Sequence, residues 1–313
     1  MMNEENRPKL WADLLPVPSR DGHKYDRGYA LIYAAPELTG ATRLAASACM
    51  RIGAGLVTVV ARHRADVYRA SLPPSIMVRH KHPGMVKNMS AVLVGPGGVA
   101  AEHADIAFAE HDDCHHVIDA DAIDVACHLK VAYGKPWVIT PHQGEFDRVF
   151  PQLCGQREDR ASEAARLTGA IVVLKGSSTI IAGPGGERVV SHHASPYLAS
   201  AGTGDVLAGL ITGLLAQSMP AFAACCVAVW VHAEAAKRFG PGLIASDIPD
   251  MVPSILTDLL AGQGLNGKVQ IPFRPFCQNC NNDAWSPTAQ ACRVIAVGMS
   301  RGFWRRKFGC FNR

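Results

Sequence analysis

Short apolar, β-branched runs alternate with Ala-rich helical stretches along most of this chain, and that alternation constrains the fold more than any other feature. Strands are expected over 30–34, 56–61, 91–94, 116–119, 137–140 and 170–174. Between them, 40–52 reads as a helix with Leu44, Ala48 and Ile52 on one face, and 100–110 as another. Such alternation builds βαβ units, hence an α/β fold whose mostly parallel central sheet carries helices on both faces. After Leu174 the pattern changes. Residues 178–182 and 188–191 read as a hairpin closed by Gly183-Pro184-Gly185-Gly186-Glu187, and 203–216, 220–239 and 246–260 as helices, the last with Ser246 as N-cap.

Charge divides the 313 residues unequally. Residues 266–313 hold eight Lys and Arg against one acid, Asp283, so the rest of the chain carries 23 basic against 26 acidic side chains beneath a net +4. A mildly acidic body is a poor partner for nucleic acid or an anionic membrane. The organisation expected is a lead segment over 1–19, a domain over 20–262, and a basic, poorly ordered, cysteine-containing tail over 263–313. Four thiols in that tail, Cys277, Cys280, Cys292 and Cys310, could hold zinc, but only one C-x₂-C pair exists and the other spacings are irregular. The six remaining cysteines sit mostly in apolar stretches, as buried reduced thiols do. The N-terminus lacks a basic stretch followed by an apolar one, and no apolar run reaches the roughly 18–20 residues of a membrane helix. A cytoplasmic protein is expected.

Ligands of an open parallel sheet bind beyond the carboxyl ends of its strands, so residues just after each strand are the informative ones. Ala201-Gly202-Thr203-Gly204-Asp205 opens an apolar helix: its free N–H groups suit an anion, and a carboxylate placed there suits proton abstraction from a hydroxyl that attacks phosphorus. A plain capping turn is the alternative. Lys175-Gly176-Ser177-Ser178-Thr179 could hold nucleotide phosphates or be a solvated turn. Thr140-Pro141-His142-Gln143-Gly144-Glu145 gathers an imidazole and a carboxylate, and Gly95-Pro96-Gly97-Gly98 is a weaker turn signal. Asp119-Ala120-Asp121 could serve Mg²⁺-phosphate chemistry or cap a helix. His103, His111, His115 and His116 around Asp112-Asp113 read as a polar loop rather than a metal site, and His192-His193 as a border of the active site. Neither a P-loop nor a dinucleotide-type glycine fingerprint is present.

In this order the segments resemble one family, the ADP/ATP-dependent NAD(P)H-hydrate dehydratases, a branch of the ribokinase-like superfamily related to hydroxyethylthiazole kinase. The resemblance runs over about 20–262, through Thr39-Gly40-Ala41, Arg51-Ile52-Gly53-Ala54-Gly55-Leu56-Val57, Val94-Gly95-Pro96-Gly97, Ile118-Asp119-Ala120-Asp121-Ala122, Thr140-Pro141-His142-Gln143-Gly144-Glu145-Phe146, Val173-Leu174-Lys175-Gly176, Gly202-Thr203-Gly204-Asp205 and Leu243-Ile244-Ala245-Ser246-Asp247. It implies a lyase that repairs hydrated NADH and NADPH (NADHX and NADPHX, S epimer) by phosphorylating the C6 hydroxyl from ADP or ATP with Mg²⁺ and then eliminating phosphate. Asp205 would be the base. Lys175, Gly176, Ser177, Ser178, Thr179 and Gly204 would hold ADP, while Ala41, Thr42, Gly97, His142 and Asp205 would line the hydrate site, with Glu145 as a helper for orientation or Mg²⁺. A homo-oligomer is implied, and a separate epimerase as functional partner, because some 20 leading residues cannot hold an epimerase domain. The chain departs from the family pattern at Ala34-Ala35, at Ser195-Pro196-Tyr197-Leu198-Ala199-Ser200-Ala201 and at Gln143. The competing readings are a small-molecule kinase of the same superfamily, a non-catalytic nucleotide sensor, and a zinc or RNA binder acting through the tail.

Overall fold

The computed structural model describes residues 4–80, 89–99, 113–129 and 135–262. The helix expected over 100–110, His103, His111, Asp112 and the tail with its four cysteines lie outside the described residues.

The apolar runs form the sheet, and their continuity reflects burial on both faces. Its strands are β1 (Glu4–Glu5), β2 (Tyr29–Tyr33), β3 (Leu56–Val60), β4 (Met77–Arg79), β5 (Met89–Val94), β6 (His115–Ile118), β7 (Val138–Ile139), β8 (Ile171–Leu174), β9 (Thr179–Ala182) and β10 (Arg188–Ser191). Their order is β1-β10-β9-β8-β7-β6-β5-β2-β3-β4. All pairs from β4 across to β8 are parallel, and β9 runs antiparallel to both β8 and β10, as the hairpin signal predicts. From β2 the chain winds outward to β3 and β4, then returns to place β5 on the other side of β2. The carboxyl ends of β2 and β5 therefore flank a topological switch point, where an α/β sheet opens a crevice.

One face is covered by α1 (Thr39–Arg51), α6 (Thr203–Ala216), α7 (Ala221–Phe239) and α8 (Asp247–Gly262), the other by α3 (Ala122–Leu129), α4 (Gln143–Val149) and α5 (Arg157–Thr168). A short α2 (Ala65–Ser71) connects β3 to β4. Helix α6 is the central element, buried along nearly its whole length. It meets α1 backbone to backbone: a Cβ on Gly209 would lie 2.2 Å from the Ala45 carbonyl oxygen. Ala45, Ala46, Ala48 and Cys49 on α1 are small enough to permit this approach. The crossing fixes the start of α6, and with it Gly202–Asp205, against the sheet.

The first residues, read as a lead segment ahead of the domain, are laid onto it. Strand β1 pairs with β10, and Asn6 donates to the Val190 carbonyl through its backbone (2.9 Å) and to the Cys226 carbonyl through its side chain (2.8 Å). Trp11, 2% exposed, donates to Asn6 and meets the ring of Trp230 edge-on. The signal for this docking is one indole within a short stretch of mixed polarity, too little to distinguish from a tail. Cys49, Cys114, Cys225 and Cys226 are buried, as expected, whereas Cys154 is exposed. Among the described residues no helix is long and apolar enough to cross a membrane.

Candidate active site

Three successive strand ends deliver Asp119, Thr140 and Lys175 to one point. Asp119 is buried and accepts from Lys175 Nζ (3.0 Å) and Thr140 Oγ1 (2.6 Å) on the same carboxylate oxygen. Ala120, directly after it, holds a left-handed backbone (φ 51°), an unfavourable conformation for alanine that turns the chain sharply beyond the aspartate. Asp121 emerges exposed and pairs with Arg148, so the two carboxylates of Asp119-Ala120-Asp121 do not act together. Lys175 also bridges to His142 in parallel register, which carries the β7–β8 ladder past the strand ends.

His142 and Glu145 close a reciprocal cap on α4. The Glu145 N–H donates to His142 Nδ1 (3.1 Å), and the His142 N–H donates to Glu145 Oε2 (2.7 Å). With Nδ1 occupied as an acceptor, the neutral ring carries its proton on Nε2, 3.4 Å from Glu145 Oε1. The cap thereby orients an exposed imidazole above a nearly buried carboxylate.

Helix α6 brings Asp205 to this cluster. Gly202 adopts the left-handed region (φ 91°), and a Cβ on Gly204 would lie 3.3 Å from Lys175 Nζ, so the ammonium sits over the helix start. Burial is the largest influence on the Asp205 carboxyl; the Asp119 and Glu145 charges add to it and Lys175 opposes it, and its pKa is raised to about 6. Burial works against the charge on Lys175, but Asp119, Glu145 and Asp205 outweigh it and hold its pKa above the usual lysine value. One cation thus serves three carboxylates, and the least compensated of them has the pKa of a working base. His232, midway along α7, escaped the sequence reading. Its Nε2 donates to the Thr203 carbonyl (2.8 Å), and burial foremost, with Lys175 nearby, lowers its pKa to about 4, so it braces the α6 start as a neutral ring.

The crevice at the switch point collects a second group. Gly97 (φ 79°) lies so close to α1 that a Cβ there would come 2.9 Å from the Ala41 Cβ and 3.0 Å from that of Ala35. Ala35 therefore leaves little room where the family pattern has glycine. Thr42 takes a different part from the one its position suggested. It is fully buried; its hydroxyl accepts from the Ala35 N–H (2.9 Å), reaches the Pro96 carbonyl (3.3 Å) and lies beside Tyr68 Oη. Thr42 thus ties the segment after β2 to the segment after β5, and Ala41 and Gly97, both partly exposed, lie against each other beside it.

On the other side of Lys175 lies a cavity of about 730 Å³, within the size range of small-molecule sites. His142, Lys175, Gly176, Ser177, Thr179 and Gly204 line it, and so do His192 and His193. Ser178 does not; its hydroxyl and carbonyl face Arg157 Nη1. Sequence reasoning also missed Arg157. From the first turn of α5 it donates to the Lys175 carbonyl (3.3 Å), the Ser178 carbonyl (3.2 Å) and the Gln143 side chain (2.9 Å). A single guanidinium therefore ties the Lys-Gly-Ser-Ser turn to the start of α4, and the departure at Gln143 supplies the acceptor. His115 and His116 belong to β6, bonded to the Pro136 and Cys114 carbonyls, rather than to a polar loop.

Among the described residues no group of three or more His, Cys, Asp or Glu side chains is gathered as an ion cage. Mg²⁺ does not require one, because it keeps several waters and is carried on substrate phosphates with one or two carboxylates. Glu145 and Asp205 supply hard oxygen donors near the start of α6, a set that fits such an ion.

Comparison with known proteins points the same way. A family model described as NAD(P)H-hydrate dehydratase matches residues 30–253. A bifunctional NAD(P)H-hydrate repair enzyme of Salinibacter ruber is 34% identical over 275 residues, covering 78% of this chain and 51% of that protein. An ADP-dependent (S)-NAD(P)H-hydrate dehydratase of Xanthomonas campestris is 32% identical over 275 residues, covering 79% of this chain and 94% of its own length. The chain spans about half the length of the bifunctional relatives it matches. Among solved structures, an ADP/ATP-dependent NAD(P)H-hydrate dehydratase of Bacillus subtilis, co-crystallised with ATP and Mg²⁺, superposes with a TM-score of 0.72 at 27% identity, covering 83% of this chain and 99% of that one.

Proposed function

Because the chain belongs to the NAD(P)H-hydrate dehydratase family, we propose that it regenerates NADH and NADPH from their S-configured C6 hydrates at the expense of ADP. The observation that carries this reading is the place of Asp205: a carboxylate of raised pKa in the first turn of α6, directly after Gly204 and within the influence of Lys175, two residues that line a cavity of nucleotide size. In this reading the hydrate lies in the crevice against Ala41, Gly97 and His142, and ADP in the cavity against Lys175, Gly176, Ser177, Thr179 and Gly204. Ser178 and Thr42 act by holding the walls.

Hydroxide is a poor leaving group, which is why a phosphoryl donor is needed. Asp205 accepts the proton of the C6 hydroxyl as its oxygen attacks the terminal phosphorus of ADP, releasing AMP. Lys175 and the α6 N–H groups stabilise the negative charge in transfer. The ring nitrogen lone pair then expels phosphate from C6, and loss of a C5 proton restores the dihydropyridine. The Nε2–H of His142, fixed by its cap, is available to the carboxamide or leaving oxygen. Mg²⁺, held by Glu145 and the nucleotide phosphates, would supply charge neutralisation. The buried thiols suit the cytoplasm, and an epimerase would supply the S epimer.

Product analysis tests the reading. Formation of AMP, phosphate and reduced cofactor in equal amounts is the expected outcome; a phosphorylated product that accumulates without phosphate release would mean a kinase instead.

A further inference from the structure

We propose that the imidazole of His193, laid flat on Trp230, is the stacking platform for the purine base of the donor nucleotide. This rests on the reading of the cavity as the ADP site. The cavity has two characters. Lys175, Gly176, Ser177 and Gly204 offer positive charge and backbone N–H groups, whereas Leu207, Val229 and Ala233 offer an apolar slot. His193 follows β10, which lies two strands from β8, a lateral step of about 10 Å. A diphosphate on Lys175 thus extends its base toward His193.

The state of the His193 ring identifies what it can offer. Its centroid is 5.1 Å from that of Trp230, with the planes 4° apart. Lys237 Nζ can only donate, so Nδ1 accepts from it (2.8 Å), and Nε2–H donates to Glu234 (2.9 Å). Both nitrogens are engaged and one face is covered, yet the residue lines the cavity. What remains for a ligand is π-surface. A ring held in this way is ordered before the ligand arrives, so stacking carries little entropic cost. The support continues inward: Trp230 meets Trp11 edge-on, and the His192 N–H donates to Glu5 (3.1 Å).

The test uses the full chain and calorimetric binding of ADP, with the KM for the hydrate measured alongside. His193→Ala should weaken ADP binding about tenfold, in the range of one lost base–aromatic stack, and leave the KM for the hydrate within about twofold. His193→Phe should restore most of the affinity because it keeps the ring face. Unchanged ADP affinity in a folded His193→Ala protein would overturn the platform, as would a loss in His193→Phe equal to that in His193→Ala. If the wild-type chain binds no ADP, the nucleotide reading itself falls.

Discussion

At the residue scale the account turns on Asp205 and its neighbours. A pKa of about 6 means that kcat/KM for the hydrate should fall on the acid side with an apparent pKa near that value, as expected for a base in the free enzyme. Lys175→Met removes the one influence that lowers it, so the acid limb should move to higher pH and the maximal rate should drop. The same shift has a cost in stability. The folded pKa lies above the unfolded one, so the native state binds the proton more tightly, and stability declines as pH rises from about 4 through about 6. The loss amounts to about 3 kcal/mol at neutral pH. Asp205→Asn should therefore be inactive yet resist urea better than wild type near pH 7–8, an advantage that vanishes below about pH 4. Sequence alone made Asp205, Lys175, His142 and Gly97 legible, because each follows a strand or opens a helix within a short motif. It could not reveal Arg157, at the start of α5, or His232, within α7, which lie far from any motif and matter only through the carbonyls they meet. Arg157→Ala should raise the KM for ADP about tenfold with a smaller change in kcat, since it frees the Lys175–Ser178 turn without touching the base.

At the element scale, the start of α6 is only as well placed as its crossing with α1. Gly209→Ala puts a methyl group into the Ala45 carbonyl and should cost about 1–3 kcal/mol, with a fall in kcat that reflects the displaced Asp205. Denaturant unfolding beside steady-state rates reads both effects. The alternation of strands and helices was plain in the sequence because buried parallel strands are continuous apolar runs and need no partner to be recognised. The edge of the sheet was not. Strand β1 has two residues, and its docking rests on Asn6 and Trp11 reaching Cys226 and Trp230, contacts that span more than 200 positions in the chain. Trp11→Ala should lower stability by about 3–5 kcal/mol, the usual range for a buried indole; a change within about 0.5 kcal/mol would mean that this segment is an ornament on the fold.

At the scale of the whole molecule, the sheet divides the labour between its two regions. The hairpin of β9 and β10 contributes Thr179 and Ser191 to the cavity that Lys175 borders, and the switch point between β2 and β5 lies beyond β7 and β6. Strand order cannot be read from local pattern, so the sequence indicated the residues at the strand ends but not that Gly97 and Ala41 would gather apart from Gly176 and Thr179. The division predicts ordered dependence on two ligands, neither of which reacts alone. The most direct test is the recovery of reduced-nicotinamide absorbance from chemically prepared NADHX with Mg²⁺ and ADP, in wild type and in Asp205→Asn. A rise that requires ADP and is absent in the variant is the expected result. A rise without nucleotide, or one that survives in Asp205→Asn, would contradict it.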